Sequence, residues 1–284
     1  DEVFEMVFGS NPISIRSRLE KMSGGKYTIH GVVYGAVDVA HSAKGACGGG
    51  DLDRIGDSIE DDLTTGESYQ VELTMTPDLA ACWEKNFSGT AGPVGNFAKM
   101  SLMGMGMRFG WNPTRAYVVS AGSDSYRKSF TQNVAFHEML HVLGLHHSKF
   151  QGAEYGDYTC VMGGIPKEDD SLGYYLENGN YFENTWLLNS IQRARLGILS
   201  PSDIKEVSGM GTFQVASLDG TNSGKGIPQL LKFGKLNLSY RTEGQPFLSN
   251  KIANKVHIHE WDNPNLLTYF LGGAGVMPKA VLRT

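Results

Sequence analysis

Long apolar runs and dense basic runs are both missing from this sequence of 284 residues. A helix needs roughly 20 consecutive apolar residues to cross a bilayer, and no stretch approaches that length, so we expect no membrane span. The opening residues lack the basic and apolar regions of a signal peptide, which predicts a soluble chain that is already processed or was expressed without its targeting segment. With 25 Lys+Arg against 30 Asp+Glu and a net charge of -5, nothing predicts attraction to nucleic acid or to anionic membranes.

Cysteine is also scarce. The three cysteines, Cys47, Cys82 and Cys160, permit at most one internal disulfide and leave one thiol over. This count, together with Asn-x-Ser sequons at Asn86 and Asn237, favours an extracellular protein. Ordinary polar loop residues are the alternative interpretation of the sequons, because such short motifs often arise by chance.

The remaining composition is that of a globular protein rich in loops. It is 40% hydrophobic and contains 36 glycines, which indicates many tight turns. Apolar periodicity predicts helices at residues 13–22, 131–143 and 184–196. Gly197 should end the third helix, and the capping-box spacing of Ser129 and Gln132 suits the start of the second. Runs rich in β-branched and aromatic residues predict strands at residues 27–39, 69–76 and 116–119.

From residue 200 onward the pattern changes to short alternating runs separated by turn residues. These runs predict strands at residues 211–218, 236–241 and 255–259. We therefore expect two domains, a larger one with interleaved helices and strands over 1–198 and a smaller all-β one over 199–284. His257 and His259 alternate along one predicted strand, and we interpret them as a surface pair because no third ligand stands at motif spacing.

The chemistry is concentrated in residues 137–147, which read HEMLHVLGLHH. His137 and His141 are four residues apart, so a helix places them on one face with about 5–6 Å between their Cβ atoms. That spacing suits two imidazoles that bind one metal ion. Phe136, Leu140 and Leu143 fall on another face of the same helix, which can therefore pack against a core.

A third imidazole follows a predicted turn. Gly144 accepts a positive φ angle and can reverse the chain sharply, which brings His147 back towards the other two histidines. Three neutral imidazoles leave a fourth position for water, as in catalytic zinc sites. Glu138 stands beside the first ligand and is the expected general base for water that Zn2+ acidifies. His146 also lies near this position, but the spacing from the glycine favours His147.

Two other interpretations of this window remain open: a helix with ordinary surface histidines, and a zinc site kept only for structure or binding. Against the second, a purely structural ion has no use for a carboxylate beside an open coordination position.

The pattern H-E-x-x-H-x-x-G-x-x-H resembles the metzincin clan of zinc peptidases. Downstream, residues 155–164 read YGDYTCVMGG and resemble the methionine-turn region of the gametolysin family, the algal cell-wall-lytic metallopeptidases. The resemblance implies an α/β metzincin-like catalytic domain with a twisted sheet and an active-site helix. It also implies that Met162 lies beneath the metal, and that a peptide substrate pairs along an edge strand. Ser148, directly after the third ligand, is more similar to the matrixins.

Taken together, these patterns predict a secreted zinc endopeptidase that hydrolyses extracellular, cell-wall or matrix proteins. A catalytically idle zinc-containing adhesion or binding module is the main alternative, and a zinc hydrolase of non-peptide amides is the second. Protein or peptide is the expected partner. The oligomeric state, the role of the tail and the cysteine pairing are not predicted.

Overall fold

The structure is a computed structural model that describes residues 2–12, 14–34, 71–76, 89–93, 114–119, 125–150, 156–157, 159–163, 187–218, 226–242, 254–262 and 267–275. Within these ranges the chain mixes helices and strands. It divides into two compact units, one comprising residues 1–17 and 29–144 and the other residues 18–28 and 145–284. The expected mixed α/β architecture is confirmed at this level.

The first unit contains a three-stranded sheet and a long helix. Its strands are β1 (Val71–Thr76), β2 (Gly89–Pro93) and β3 (Thr114–Val119), in the order β1-β3-β2. β1 runs parallel to β3, and β2 is antiparallel to it. The long helix, α3 (Ser125–Val142), packs against these strands. A short helix, α1 (Glu2–Val7), opens the unit, and α2 (Ile15–Ser23) begins in it.

The end of α3 follows from its sequence. Phe136 and Leu140 are four residues apart and each is only 1% exposed, so the helix buries one apolar face. Gly144 has a φ of +86°, a left-handed conformation that glycine adopts without the steric cost of a Cβ atom. The helical hydrogen bonds therefore stop within a turn, and the chain leaves in a new direction after Gly144.

The second unit is built on a six-stranded sheet, here called the tail sheet, with the order β4-β9-β8-β7-β6-β5. Its strands are β4 (Ser148–Phe150), β5 (Ile204–Glu206), β6 (Leu230–Phe233), β7 (Leu236–Arg241), β8 (Lys255–Asp262) and β9 (Leu267–Gly275). β6, β7, β8 and β9 pair antiparallel with their neighbours, whereas β4 and β5 join the sheet in parallel. The sheet thus includes residues 148–150, which lie before residue 198; the predicted domain boundary there stays a prediction.

Apolar side chains lie on both faces of the tail sheet. Successive residues of a strand point to opposite faces, and β6 places Leu230 and Leu231 in two different apolar clusters. One cluster includes Leu199 and Leu218, and the other includes Leu238 and Val256. Polar residues that share a face with a buried cluster must therefore find partners within the protein.

Two short helices accompany the sheet. α4 (Ser190–Arg195) begins after Asn189, whose side-chain oxygen accepts a hydrogen bond from the main-chain N–H of Gln192. Gly197 has a φ of +69°, which confirms the predicted stop. A single 3-10 turn, Pro201–Asp203, then leads into β5.

Several sequence predictions are confirmed: α2, β1, β3, β7 and β8 form close to where the patterns place them, and α3 matches the second helix. Others are wrong. Residues 27–34 form no strand, and residues 211–216 are irregular, with only an isolated bridge at Ser217. Residues 187–189 precede α4 instead of belonging to it, because Asn189 caps the helix. Ser129 lies inside α3, which starts four residues earlier, so it is no cap.

A sequon at Asn237 can be used only if the asparagine is accessible, as in a surface loop. Asn237 lies in β7 and is 0% exposed, so in this fold its amide cannot reach a glycosylating enzyme. Asn86, Cys47 and Cys82 lie outside the described residues. Among the described helices, none is long and apolar enough to cross a membrane.

Candidate metal centre

Helix α3 brings its two histidines together. The Nε2 atoms of His137 and His141 are 3.0 Å apart, and the two rings meet edge to face with their centroids 4.7 Å apart. Residues at i and i+4 share a helix face, so this approach follows directly from the sequence spacing. His137 is buried and His141 is half-buried, which leaves one side of the pair accessible.

His147 completes the group, here called the histidine cluster. One ring nitrogen from each of His137, His141 and His147 lies within 4.8 Å of the others. The turn at Gly144 accounts for this convergence, since a helix continued through Gly144 would carry residue 147 along another face. Among the residues that the structure describes, no other group of three or more His, Cys, Asp or Glu side chains meets the same test.

The donor geometry fits a metal ion. Two ligands at about 2.0–2.1 Å from a tetrahedral centre are about 3.3 Å apart. The 3.0 Å between the Nε2 atoms of His137 and His141 is close to this value. The ring nitrogen of His147 lies within 4.8 Å of the other two, so it needs to move inward only a short distance to bind the same ion. All three donors are imidazole nitrogens. The cluster is therefore compatible with one metal ion that keeps a further coordination position open.

Glu138 lies next to the first histidine and is buried, with 6% of its surface exposed. Its Oε2 atom is buried and has no hydrogen-bond partner among the described residues. Burial raises the pKa of Glu138 from its ordinary value to about 8, because desolvation disfavours the charged form. A nearby cation would oppose this shift and favour the carboxylate.

Met162 is linked by a main-chain hydrogen bond to the residue that follows the third histidine. The N–H of Ser148, the residue after His147, donates to the carbonyl oxygen of Met162 at 2.7 Å. The Met162 side chain is 0% exposed. The turn that contains it is tight: a Cβ atom on Gly163 would lie 1.8 Å from the carbonyl oxygen of Asp157, so only glycine fits there.

His146 and Cys160 have no place in the cluster. His146 is exposed, as expected, and its carbonyl oxygen accepts a hydrogen bond from the side chain of Gln192 at 2.7 Å. Cys160 is a buried free thiol, and burial raises its pKa to about 12, so it is a poor nucleophile.

The sequence prediction of a surface pair at His257 and His259 is wrong. Each is 1% exposed, and their rings stack with centroids 6.3 Å apart. They belong to a polar face of the tail sheet, whose members pair across β7 and β8 and are all buried: Asn237, Ser239, Arg241, His257 and His259. Period-two alternation predicts one solvated face, but here both faces are covered.

This polar face contacts a buried carboxylate that no sequence pattern singles out. The Nε2 atom of His259 is 3.4 Å from Oδ2 of Asp157, which is 0% exposed. Burial alone would raise the pKa of Asp157, but the adjacent imidazole of His259, together with hydrogen bonds from Thr159 and Ser148, outweighs it and holds this pKa well below its usual range. Only tertiary pairing brings these residues together.

The model of one protein family, gametolysin peptidase M11, matches residues 103–222. No curated protein and no solved structure matches the chain. The matched stretch, less than half of the 284 residues, includes the histidine cluster, Glu138 and Met162. Over residues 103–222 the chain is thus similar to the gametolysin metallopeptidases, and it carries there three histidines compatible with a metal ion.

Proposed function

We propose that this protein is a secreted zinc-dependent endopeptidase of the metzincin type. The observation that carries the proposal is the convergence of three imidazole nitrogens within 4.8 Å, one of them on His137, which directly precedes the buried Glu138 in the sequence. Imidazole-only donor sets with an open position suit catalytic zinc, and hydrolysis needs no redox-active metal. The similarity to gametolysin metallopeptidases supports peptide bonds as the substrate.

Each residue of the site has a distinct role in this proposal. His137, His141 and His147 hold the ion. When bound, the ion acidifies a water molecule and polarises the carbonyl group of the scissile bond. Glu138 takes a proton from that water and gives it to the departing amine nitrogen. Its Oε2 atom has no hydrogen-bond partner in the part of the chain that the structure describes, which suits this role, because a carboxylate already saturated by donors is a weak base.

Met162 is proposed as the methionine beneath the metal. Its full burial and the hydrogen bond from the N–H of Ser148 to its carbonyl oxygen support this assignment. Strand β2 is an antiparallel edge of the described three-stranded sheet, and an extended peptide can add to such an edge by main-chain hydrogen bonds. Extracellular cell-wall or matrix protein as the natural substrate rests on analogy with the gametolysin family.

The test is digestion of a complex protein mixture by the purified protein, with the new termini identified by mass spectrometry. We expect internal cleavages that a chelator abolishes and zinc restores, with a residue preference around the cut. A protein that binds zinc but produces no new termini would be a binding module instead. Turnover of acylated small amines without any peptide cleavage would indicate a hydrolase of non-peptide amides.

A further inference from the structure

Ser148, which directly follows the third histidine, has every polar group engaged. Its N–H donates to the Met162 carbonyl oxygen at 2.7 Å, and its own carbonyl oxygen accepts from the N–H of Asp157 at 3.2 Å. Its hydroxyl group donates to Oδ2 of Asp157 at 2.7 Å and accepts from the side-chain nitrogen of Asn189 at 2.9 Å. Residue 148 is 0% exposed, so water cannot replace these bonds.

Asp157 is the centre of this network. Its Oδ1 atom accepts from the N–H and the hydroxyl group of Thr159, at 2.9 Å and 2.5 Å. Its Oδ2 atom accepts from Ser148 and from the side chain of Asn189, which is 3.1 Å away. Both oxygens are thus satisfied by donors from three separate stretches of chain, and a fully buried carboxylate with this many donors is a rigid anchor.

The tail sheet holds the network from the other side. His259, on β8, contacts Oδ2 of Asp157. Arg241, on β7, donates to the carbonyl oxygens of Thr159 and Leu188, at 2.7 Å and 2.6 Å. Side chains of the polar face therefore contact both the turn that contains Asp157 and Met162 and the residues that precede α4. These contacts give the buried polar side chains a structural role.

We propose that Asp157 is a positioning residue for the third metal ligand, acting through Ser148 and braced by His259 of the tail sheet. The inference rests on the proposed function, since it concerns the same site. Hydrogen bonds at the N–H, the carbonyl group and the hydroxyl group fix residue 148, and this limits how far the adjacent His147 can move. The tail strands are then part of the support of the metal centre and do not form an independent accessory domain.

Two variants test this chain of contacts. Ser148→Ala removes one hydroxyl group and creates almost no cavity, and His259→Leu replaces the imidazole with an apolar side chain of similar size that cannot make the contact on the tail side. Loss of a hydrogen bond made directly to a metal ligand weakens metal affinity by about 10- to 100-fold in other sites. Ser148 and His259 act through the main chain of the ligand segment, so we expect both variants to lose about tenfold in zinc affinity, the lower end of this range. The affinity is measured by competition with a chromogenic chelator under conditions where circular dichroism shows the variants folded.

The matched control is Ser217→Ala, which also removes a buried hydroxyl group of the second unit, one that lies 3.0 Å from the hydroxyl oxygen of Thr242. It should keep zinc affinity within about twofold of the parent, even if it lowers the unfolding temperature as much as Ser148→Ala does. The absorption spectrum of the Co2+-substituted protein gives a second readout, because its intensity depends on ligand geometry. Ser148→Ala and His259→Leu should alter it, and Ser217→Ala should not.

The outcomes separate the inference from the function on which it rests. Parent-like zinc affinity and an unchanged Co2+ spectrum in folded Ser148→Ala would overturn the positioning role and leave the peptidase proposal intact. An effect in Ser148→Ala but none in His259→Leu would overturn the part assigned to the tail sheet. A parent protein that binds no zinc at all would overturn both proposals.

Discussion

Two buried carboxyl groups in this protein have pKa values displaced in opposite directions. Glu138, which directly follows His137 in the sequence, is buried, and desolvation raises its pKa to about 8. Asp157 is buried more deeply, yet its pKa is lowered because His259, Thr159 and Ser148 favour the charged form. Among the described residues, Oε2 of Glu138 therefore lacks a hydrogen-bond donor, whereas both carboxylate oxygens of Asp157 have donors.

We interpret this difference as one of role: Glu138 is suited to proton transfer, and Asp157 is suited to structural support. A buried carboxyl group with an oxygen that accepts no hydrogen bond can take and release a proton, and its charged form attracts a metal cation. A carboxylate bound by four donors, two of them from the distant residues Ser148 and Asn189, holds those segments in place. Substitutions at the two carboxyl groups should therefore differ in kind, with the largest change in activity at Glu138 and the largest change in stability at Asp157.

Glu138→Gln should cause the largest loss of activity. The amide cannot take a proton from water, and general-base catalysis contributes typically about 10²- to 10⁴-fold, so we expect kcat to fall by about that factor while zinc content stays at the level of the parent. Peptide-cleavage kinetics and metal analysis on the same sample check this. Normal turnover in this variant would refute the role assigned to Glu138.

The same variant should stabilise the metal-free protein at high pH. Because the folded pKa is above the unfolded one, the carboxyl group costs stability as pH rises from about 4.5 towards 8. Glutamine removes that cost, so the gain in unfolding temperature over the metal-free parent should be larger at pH 8 than at pH 5. A gain that does not depend on pH would show that burial does not disfavour the charged form of Glu138.

Asp157→Asn should reduce stability by about 2–4 kcal/mol, since it leaves buried donors without the charge that satisfies them. The pH dependence has the opposite sign from that of Glu138. A lowered folded pKa gives stability that is present above the unfolded value of about 3.9 and is lost as pH falls below it. Urea unfolding between pH 3 and pH 6 should show a steeper acid loss in the parent than in the variant. Equal slopes would mean that Asp157 is not held in its charged form.

Gly144→Ala should have a moderate effect that distinguishes strain from ligand placement. A side chain at a φ of +86° costs about 1 kcal/mol, and relief of that strain rotates the segment that carries His147. Gly209 is the matched control, with a φ of +85° in an exposed position where an added Cβ atom would meet nothing within 4 Å. Both alanine variants should lose similar stability by urea unfolding, but only Gly144→Ala should lose zinc affinity. Equal zinc affinity in both would show that the turn does not place His147.

Glu206→Ala marks the lower end of the scale. Its carboxylate pairs with Lys232 across β5 and β6, but the Glu206 side chain is 70% exposed. Exposed pairs contribute little, so we expect a change in unfolding free energy of less than about 0.5 kcal/mol at physiological salt. A loss comparable to that of Asp157→Asn would mean that burial does not determine how much ionic contacts contribute to the unfolding free energy of this protein.

Sequence patterns were informative where the determinants are local. The histidine cluster is contained in eleven residues, its spacing follows helix geometry, and the glycine turn follows from the steric freedom of Gly144. Periodicity and residue propensity also predicted α2, α3, β1, β3, β7 and β8, whereas β2, β4, β5, β6 and β9 were not predicted. By contrast, the Asp157 network joins residues 148, 157, 189 and 259, and no pattern within one stretch of chain indicates that they meet.

The errors have the same physical origin. Alternation in β7 and β8 predicts one buried and one solvated face, whereas pairing in the tail sheet buries both, including Asn237 and the two histidines. β-Branched content at residues 27–34 favours a strand, but without a pairing partner among the described residues that propensity has no effect. Tertiary contacts decided these outcomes, and they are not visible in a single sequence.

The central claim is that His137, His141 and His147 together hold one metal ion. Metal content per chain, measured by elemental analysis of the parent, of Glu138→Gln and of His147→Ala after identical dialysis, tests it most directly. We predict one zinc ion per chain in the first two proteins and almost none in the third. Full zinc content in His147→Ala, or proteolytic activity in a parent preparation without metal, would contradict it.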